Sequence, residues 1–116
     1  MSKNSLLLFV LTVILITAYL TIAINASPNK SVSRNEIETA VNQAKHIYRQ
    51  EKEKGRDFSK GPCLSDALLP NWVVDIAHKP RLPLDDFPQN QCPGYLEGKT
   101  QHFVELDPKG NLIRAK

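Results

Sequence analysis

The strongest constraint on this chain is its apolar run from Leu6 to Ile24, interrupted only by Thr12, Thr17, Tyr19 and Thr21. At about 1.5 Å of rise per residue, a helix over this run just reaches across a hydrocarbon layer about 30 Å thick. A helix apolar on every side needs lipid or a large core around it, and a chain of 116 residues is too short to provide the core. We read residues 1–5 as a cytoplasmic tip and 6–24 as a transmembrane helix or signal anchor. Lys3 and the amino terminus favour the cytoplasmic side, although Lys30 just beyond the run dilutes the asymmetry. The bulk of the chain is then extracytoplasmic. The competing reading is a secretory signal cleaved near Ala26, ahead of Ser27 and Pro28, with a secreted product. The run is longer than the apolar centre of a signal, about 15 residues at most, and this favours retention.

Export sets the context for Cys63 and Cys92, the two cysteines. Thiols outside the cytoplasm are commonly oxidised, so a Cys63–Cys92 disulfide is the favoured state. Beyond the anchor there is room for one small domain with little stability to spare, and such a staple offsets part of that deficit.

Charge is unevenly spread. Residues 30–60 carry eight basic side chains against five acidic ones, and residues 61–116 carry six against seven. The basic excess lies near the membrane, where it suits a solvated helix face or anionic headgroups. Aromatic residues do not interleave with the basic ones and no nucleic-acid motif is present, which argues against nucleic acid as a partner.

Residues 25–60 read as a linker, Asn25–Ser31, followed by an amphipathic helix. Ser33 is placed as its N-cap, with Glu36 at capping-box spacing. Ile37, Val41, Ala44, Ile47 and Tyr48 recur at helical steps, and Gly55 is the stop. The stripe is expected to pack on the domain's own core, and His46 needs no role.

Residues 61–116 form the second part, a small α+β domain. Gly61-Pro62-Cys63 reads as a turn, Ser65 as a cap for a short helical stretch, and Pro70–His78 as a helix with Trp72, Val73, Ile76 and Ala77 on one face. The β-branched pair Val73-Val74 leaves a strand open for that segment. Pro80, Pro83, Pro88 and Pro93 confine residues 79–93 to an ordered loop returning to Cys92. Thr100–Asp107 and Leu112–Ala115, joined by Pro108-Lys109-Gly110-Asn111, predict a β-hairpin. On its first strand His102, Val104 and Leu106 share one face, while Phe103 and Glu105 share the other.

Three groupings bear on chemistry. Cys63, Cys92, His78 and His102 are zinc-ligand types, but no two are near neighbours in sequence, and structural zinc sites use close ligand pairs. A disulfide with ordinary histidines is therefore preferred, and no metal or other cofactor is assigned. Asp75 and His78 fall at i and i+3 of the expected helix, the arrangement of an oriented base. No nucleophile turn accompanies them; Ser59 and Ser65 are merely nearby hydroxyls. Asp85, Asp86, Glu105 and Asp107 are acids without the spacing of a calcium loop.

The blocks Gly61-Pro62-Cys63-Leu64-Ser65, Trp72–His78 with Pro80-Arg81, Asn90-Gln91-Cys92, and His102–Pro108 with Gly110–Arg114 resemble a family of small prokaryotic proteins with an N-terminal membrane segment. The resemblance implies one unit over residues 61–116 and carries no activity, ligand or catalytic residue with it.

Taken together, the residues predict a single-pass, extracytoplasmic binding or structural module of the cell envelope, facing a protein or polymer partner. Asp75, His78, Arg81 and His102 are its expected binding surface. The competing classes are a small hydrolase using Asp75 and His78, and a carrier of metal on the cysteines and histidines.

Overall fold

The computed structural model describes residues 2–25 and 31–116. Residues 26–30 of the expected linker, with the cleavage position at Ala26 and the charge of Lys30, lie outside the described residues. The chain divides into two compact units, residues 1–31 and 32–116.

In the first unit, helix α1 (Lys3–Asn25) contains a stretch of mean hydropathy 2.7 over Lys3–Ala23, long and apolar enough to cross a membrane or to serve as a signal sequence. Its threonines do not break that property. The hydroxyls of Thr12, Thr17 and Thr21 donate to the carbonyls of Leu8, Val13 and Thr17, each at 2.8 Å, so each polar hydrogen is satisfied inside the helix.

The second unit is a four-stranded mixed sheet with a helix packed on one face. Helix α2 (Arg34–Glu53) starts where the sequence predicts: the Ser33 hydroxyl oxygen accepts the Glu36 amide at 3.2 Å. It ends at Lys54, and Gly55 takes φ +80°, the left-handed residue that terminates helices. Its buried stripe is Ala40, Ala44 and Tyr48, with Ile37, Val41 and Ile47 at the margins.

Strands β1 (Cys63–Leu69), β2 (Trp72–Ile76), β3 (His102–Leu106) and β4 (Leu112–Ala115) lie in the order β1-β2-β3-β4. The outer pairs are antiparallel and β2–β3 is parallel. The terminal hairpin forms as expected. The two helices expected around Ser65 and over Pro70–His78 do not: both segments are strands, joined by a tight turn at Pro70-Asn71 with Asn71 at φ +67°. Trp72, Val73, Val74 and Ile76 are all buried because β2 lies between two strands and is covered on both faces. A strand in that position shows an unbroken apolar run, and such a run also fits a helical stripe. Ser65, expected as a helix cap, instead accepts the Ala67 amide on its hydroxyl at an irregularity of β1.

The parallel β2–β3 pair requires a crossover. It runs through 3-10 turns at Pro83–Asp86 and Pro88–Asn90, passes Cys92, and continues into the short helix α3 (Pro93–Leu96). The proline-dense loop is thus the first part of the connection that carries the chain back to begin β3 in the same direction as β2. Cys63 and Cys92 form a disulfide that ties this crossover to the edge strand.

The strand alternation divides the core. Trp72, Val74, Ile76, Val104 and Leu106 face α2 and join Ala40, Ala44, Tyr48 and Phe58. Val73 and Phe103 point to the other face and pack with the disulfide.

Candidate functional site

On the face away from α2, the sheet register sets four side chains in one row. Cys63 is opposite Asp75, Asp75 opposite Glu105, and Glu105 opposite Arg114. Each strand contributes one member. Two carboxylates directly opposite on neighbouring strands repel, and the local structure resolves this in two different ways. Glu105, whose side chain is 8% exposed, is neutralised from both sides: Arg81 Nη1 donates to Oε2 at 3.1 Å and Arg114 Nε lies 3.3 Å from Oε1. Asp75 has no such partner. Burial, reinforced by the Glu105 charge, pushes its carboxyl up to about 8, against the smaller opposing pull of the Ile76 amide and Arg81. At neutral pH it therefore carries a proton. Its Oδ1 is buried and has no hydrogen-bond partner among the described residues.

A cavity of about 100 Å³ opens at this row. Asp75, Glu105, Arg81, Arg114 and Gln91 supply its polar groups, and Val73, Tyr95, Phe103 and Cys92 its apolar wall. The wall is ordered by aromatic contacts. Tyr95 meets Phe103 edge-on at 5.1 Å, and the Arg114 guanidinium lies over the Phe103 ring at 5.1 Å. Arg81 is held in place by Asp86, which accepts from its Nε at 2.9 Å.

The four residues expected to form one surface are separated. Asp75 and Arg81 line this cavity together. His78, just past the end of β2, lines a wider hollow of about 500 Å³ with Lys79, Leu82, Asp107 and Lys109. His102 lies on the opposite face, its ring 5.0 Å from that of Trp72. The expected Asp75–His78 pair does not form, because β2 is extended and the two residues end on different cavities.

The partner of His78 is Asp85, which the sequence had grouped only with other acids. Asp85 is fully buried and accepts from the His78 amide at 3.0 Å and the Leu82 amide at 2.9 Å, and its Oδ1 lies 2.9 Å from His78 Nδ1. Burial pushes the Asp85 carboxyl up, but these hydrogen bonds outweigh it and hold the group below the usual carboxylate range. An ionised Asp85 can only accept, so His78 Nδ1 carries the proton and its Nε2 is left for solvent or a ligand.

The other two groupings are also taken apart. Asp85 binds His78, Asp86 binds Arg81, Glu105 binds both arginines, and Asp107 closes its own turn through Lys109 and Asn111. No calcium cluster of these acids is present among the described residues. The zinc set fails because the two sulfurs are bonded to each other. Asp66 also approaches that pair, with the three ligand atoms within 4.8 Å of one another, but its Oδ1 accepts the Gly94 amide at 2.8 Å.

Sequence reasoning passed over Arg114, Tyr95 and Phe103 as site residues, and it placed Glu105 in the wrong group. One signal was present: β2 reads Trp-Val-Val-Asp-Ile and β3 reads His-Phe-Val-Glu-Leu, each with a single acid fourth in an otherwise apolar or aromatic run. Acids in such company are seldom buried without a reason.

The chain matches no family model, no curated protein and no solved structure. Geometry alone bears on its function.

Proposed function

We propose that this protein is a single-pass, membrane-anchored module that binds a partner of the cell envelope on its extracytoplasmic side, through the cavity of Asp75, Arg81, Glu105 and Arg114. One observation carries the reading: Asp75, whose buried Oδ1 has no hydrogen-bond partner among the described residues, lines a cavity with an aromatic wall together with the ion-paired Arg81, Glu105 and Arg114. An orphaned buried polar atom has a cost that a ligand hydrogen bond removes. The anchor rests on the length and hydropathy of α1, on its internally bonded threonines and on the amino-terminal Lys3. The disulfide suits an oxidising exterior, and the sequence resemblance suits a prokaryotic envelope.

The test is a photo-crosslinking amino acid at Tyr95, on the cavity wall, in the full-length chain within its own membranes, with Glu38 on the exposed side of α2 as the control position. A discrete adduct from position 95, absent at position 38 and lost when Arg81→Ala is added, is expected. Equal labelling at both positions, or none at 95, overturns the site.

A small hydrolase is the second reading, now built on His78 with Asp85 as its orienting carboxylate rather than Asp75. Turnover of an ester, peptide or glycan probe abolished by His78→Ala supports it. No turnover with the wild-type chain removes it.

A further inference from the structure

The hydrogen-bonding capacity left unused at the cavity defines what it can hold. Arg81 spends Nε on Asp86 and Nη1 on Glu105, and Arg114 directs Nε toward Glu105. Among the described residues, Arg81 Nη2 and both terminal nitrogens of Arg114 have no acceptor. A protonated Asp75 adds an O–H donor beside them. The cavity therefore offers an excess of donors. Its two guanidiniums face one Glu105 carboxylate within it, with Asp86 outside on Arg81. Small size and an apolar wall restrict the occupant to a compact anionic group on an apolar stem.

We propose that the cavity binds a carboxylate, one oxygen accepting from the Asp75 carboxyl and the other from the free nitrogens of Arg81 and Arg114, with its stem lying against Tyr95 and Phe103. Guanidiniums favour carboxylates through paired N–H donors, and an acid–carboxylate hydrogen bond is short and strong. The inference rests on the binding reading above and gives it a ligand chemistry. A free small acid and the carboxyl end of a peptide share that chemistry.

The proposal has a built-in pH signature. The titratable and charged groups around Asp75 are Glu105 on β3, Arg114 on β4, Arg81, Asp85 and Asp86 on the crossover, and Tyr95 of α3 on the cavity wall; β1 contributes its half of the uncharged disulfide, with Asp66 beside the sulfurs. The O–H donor disappears when Asp75 ionises, and a carboxylate ligand then meets a second negative charge.

The experiment is equilibrium binding to the full-length chain in lipid nanodiscs, with benzoate and benzamide as paired probes. A hexapeptide with a free carboxyl terminus and its amidated twin distinguish the two sources. Benzoate is expected to bind at pH 6.5 and to bind about tenfold or more weakly at pH 9.5, while benzamide binds at least tenfold less well at pH 6.5. Asp75→Asn, which cannot ionise, is expected to lose the pH dependence of benzoate binding between pH 6.5 and 9.5, whatever its affinity at pH 6.5. Arg114→Gln, checked for an unchanged melting curve, is expected to weaken benzoate about tenfold. Benzamide binding as well as benzoate, or an unchanged pH profile in Asp75→Asn, overturns the proposal. So does the absence of binding by every carboxylate probe. A position-95 crosslink that persists in that last case would leave the binding reading standing and refute only the ligand chemistry.

Discussion

Asp75 and Glu105 occupy matched positions on parallel neighbours β2 and β3, yet one is protonated and the other is paired with two arginines. The difference is positional. Arg81 and Arg114 reach Glu105 from the crossover and from β4, and no cation among the described residues is placed to do the same for Asp75.

This asymmetry makes stability depend on pH. An unfolded aspartate releases its proton near pH 4, whereas Asp75 in the fold holds it until about 8. Between these values the folded state binds more protons, so this group's contribution falls as pH rises from about 4 to about 8 and is constant above. Asp75→Asn is expected to match the wild type near pH 4 and to exceed it by roughly 5 kcal/mol at pH 7.5. Paired thermal melts at the two pH values check this, and equal stability at pH 7.5 would count against a protonated Asp75.

Asp85 behaves in the opposite sense. Its carboxyl is held low, so its contribution is present above about pH 4 and is lost as pH falls through its folded value. Asp85→Asn loses the charge that accepts three donors in a buried site, at an expected cost of about 2–4 kcal/mol in chemical denaturation at pH 7. Asp86→Asn, on the exposed side of the same turn, is expected to change stability by less than about 1 kcal/mol.

Tyr48 joins α2 to the terminal hairpin. Its hydroxyl donates to the Pro108 carbonyl at 2.9 Å, and its ring lies where a side chain at Gly110 would stand, with a Cβ there meeting the ring at 2.5 Å. Gly110 also holds φ +88°. Gly110→Ala is expected to cost about 2–4 kcal/mol, and Tyr48→Phe about 1 kcal/mol. In a Tyr48→Leu background the steric part of the Gly110→Ala cost should shrink, leaving about 1–2 kcal/mol for the backbone. A double-mutant cycle measures the coupling directly.

The disulfide closes a span of 29 residues that includes the whole of β2 and most of the crossover. Replacing Cys63 and Cys92 together by serine is expected to lower stability by about 3.5 kcal/mol through the freed unfolded chain. Urea denaturation of the double variant against the oxidised wild type reads this value.

Local chemistry made several elements legible from the sequence. Residues Leu6–Ile24 carry their helix in composition alone. Ser33, the stripe from Ile37 to Tyr48 and Gly55 delimit α2, and Pro108–Asn111 between two β-favouring runs marks the hairpin. Each of these signals lies within a few residues of the element it specifies. Glu36 shows the limit: it was expected to close a capping box, but its Oε1 accepts from Trp72 Nε1 at 2.9 Å, a partner set by the fold.

Tertiary structure decided the rest. Whether Trp72–Ile76 is helix or strand depended on β1 and β3 flanking it, since burial on both faces erases the alternation that marks a strand. The site depended on the parallel register of β2 and β3, which aligns Asp75 with Glu105 across a long crossover. No local spacing encodes that alignment. The sequence by itself determined an apolar N-terminal helix, an amphipathic helix, a hairpin and the means for one disulfide. Only the folded sheet decided which acid keeps its proton, which histidine has a carboxylate partner, and which residues share a cavity, because those outcomes depend on distances between strands.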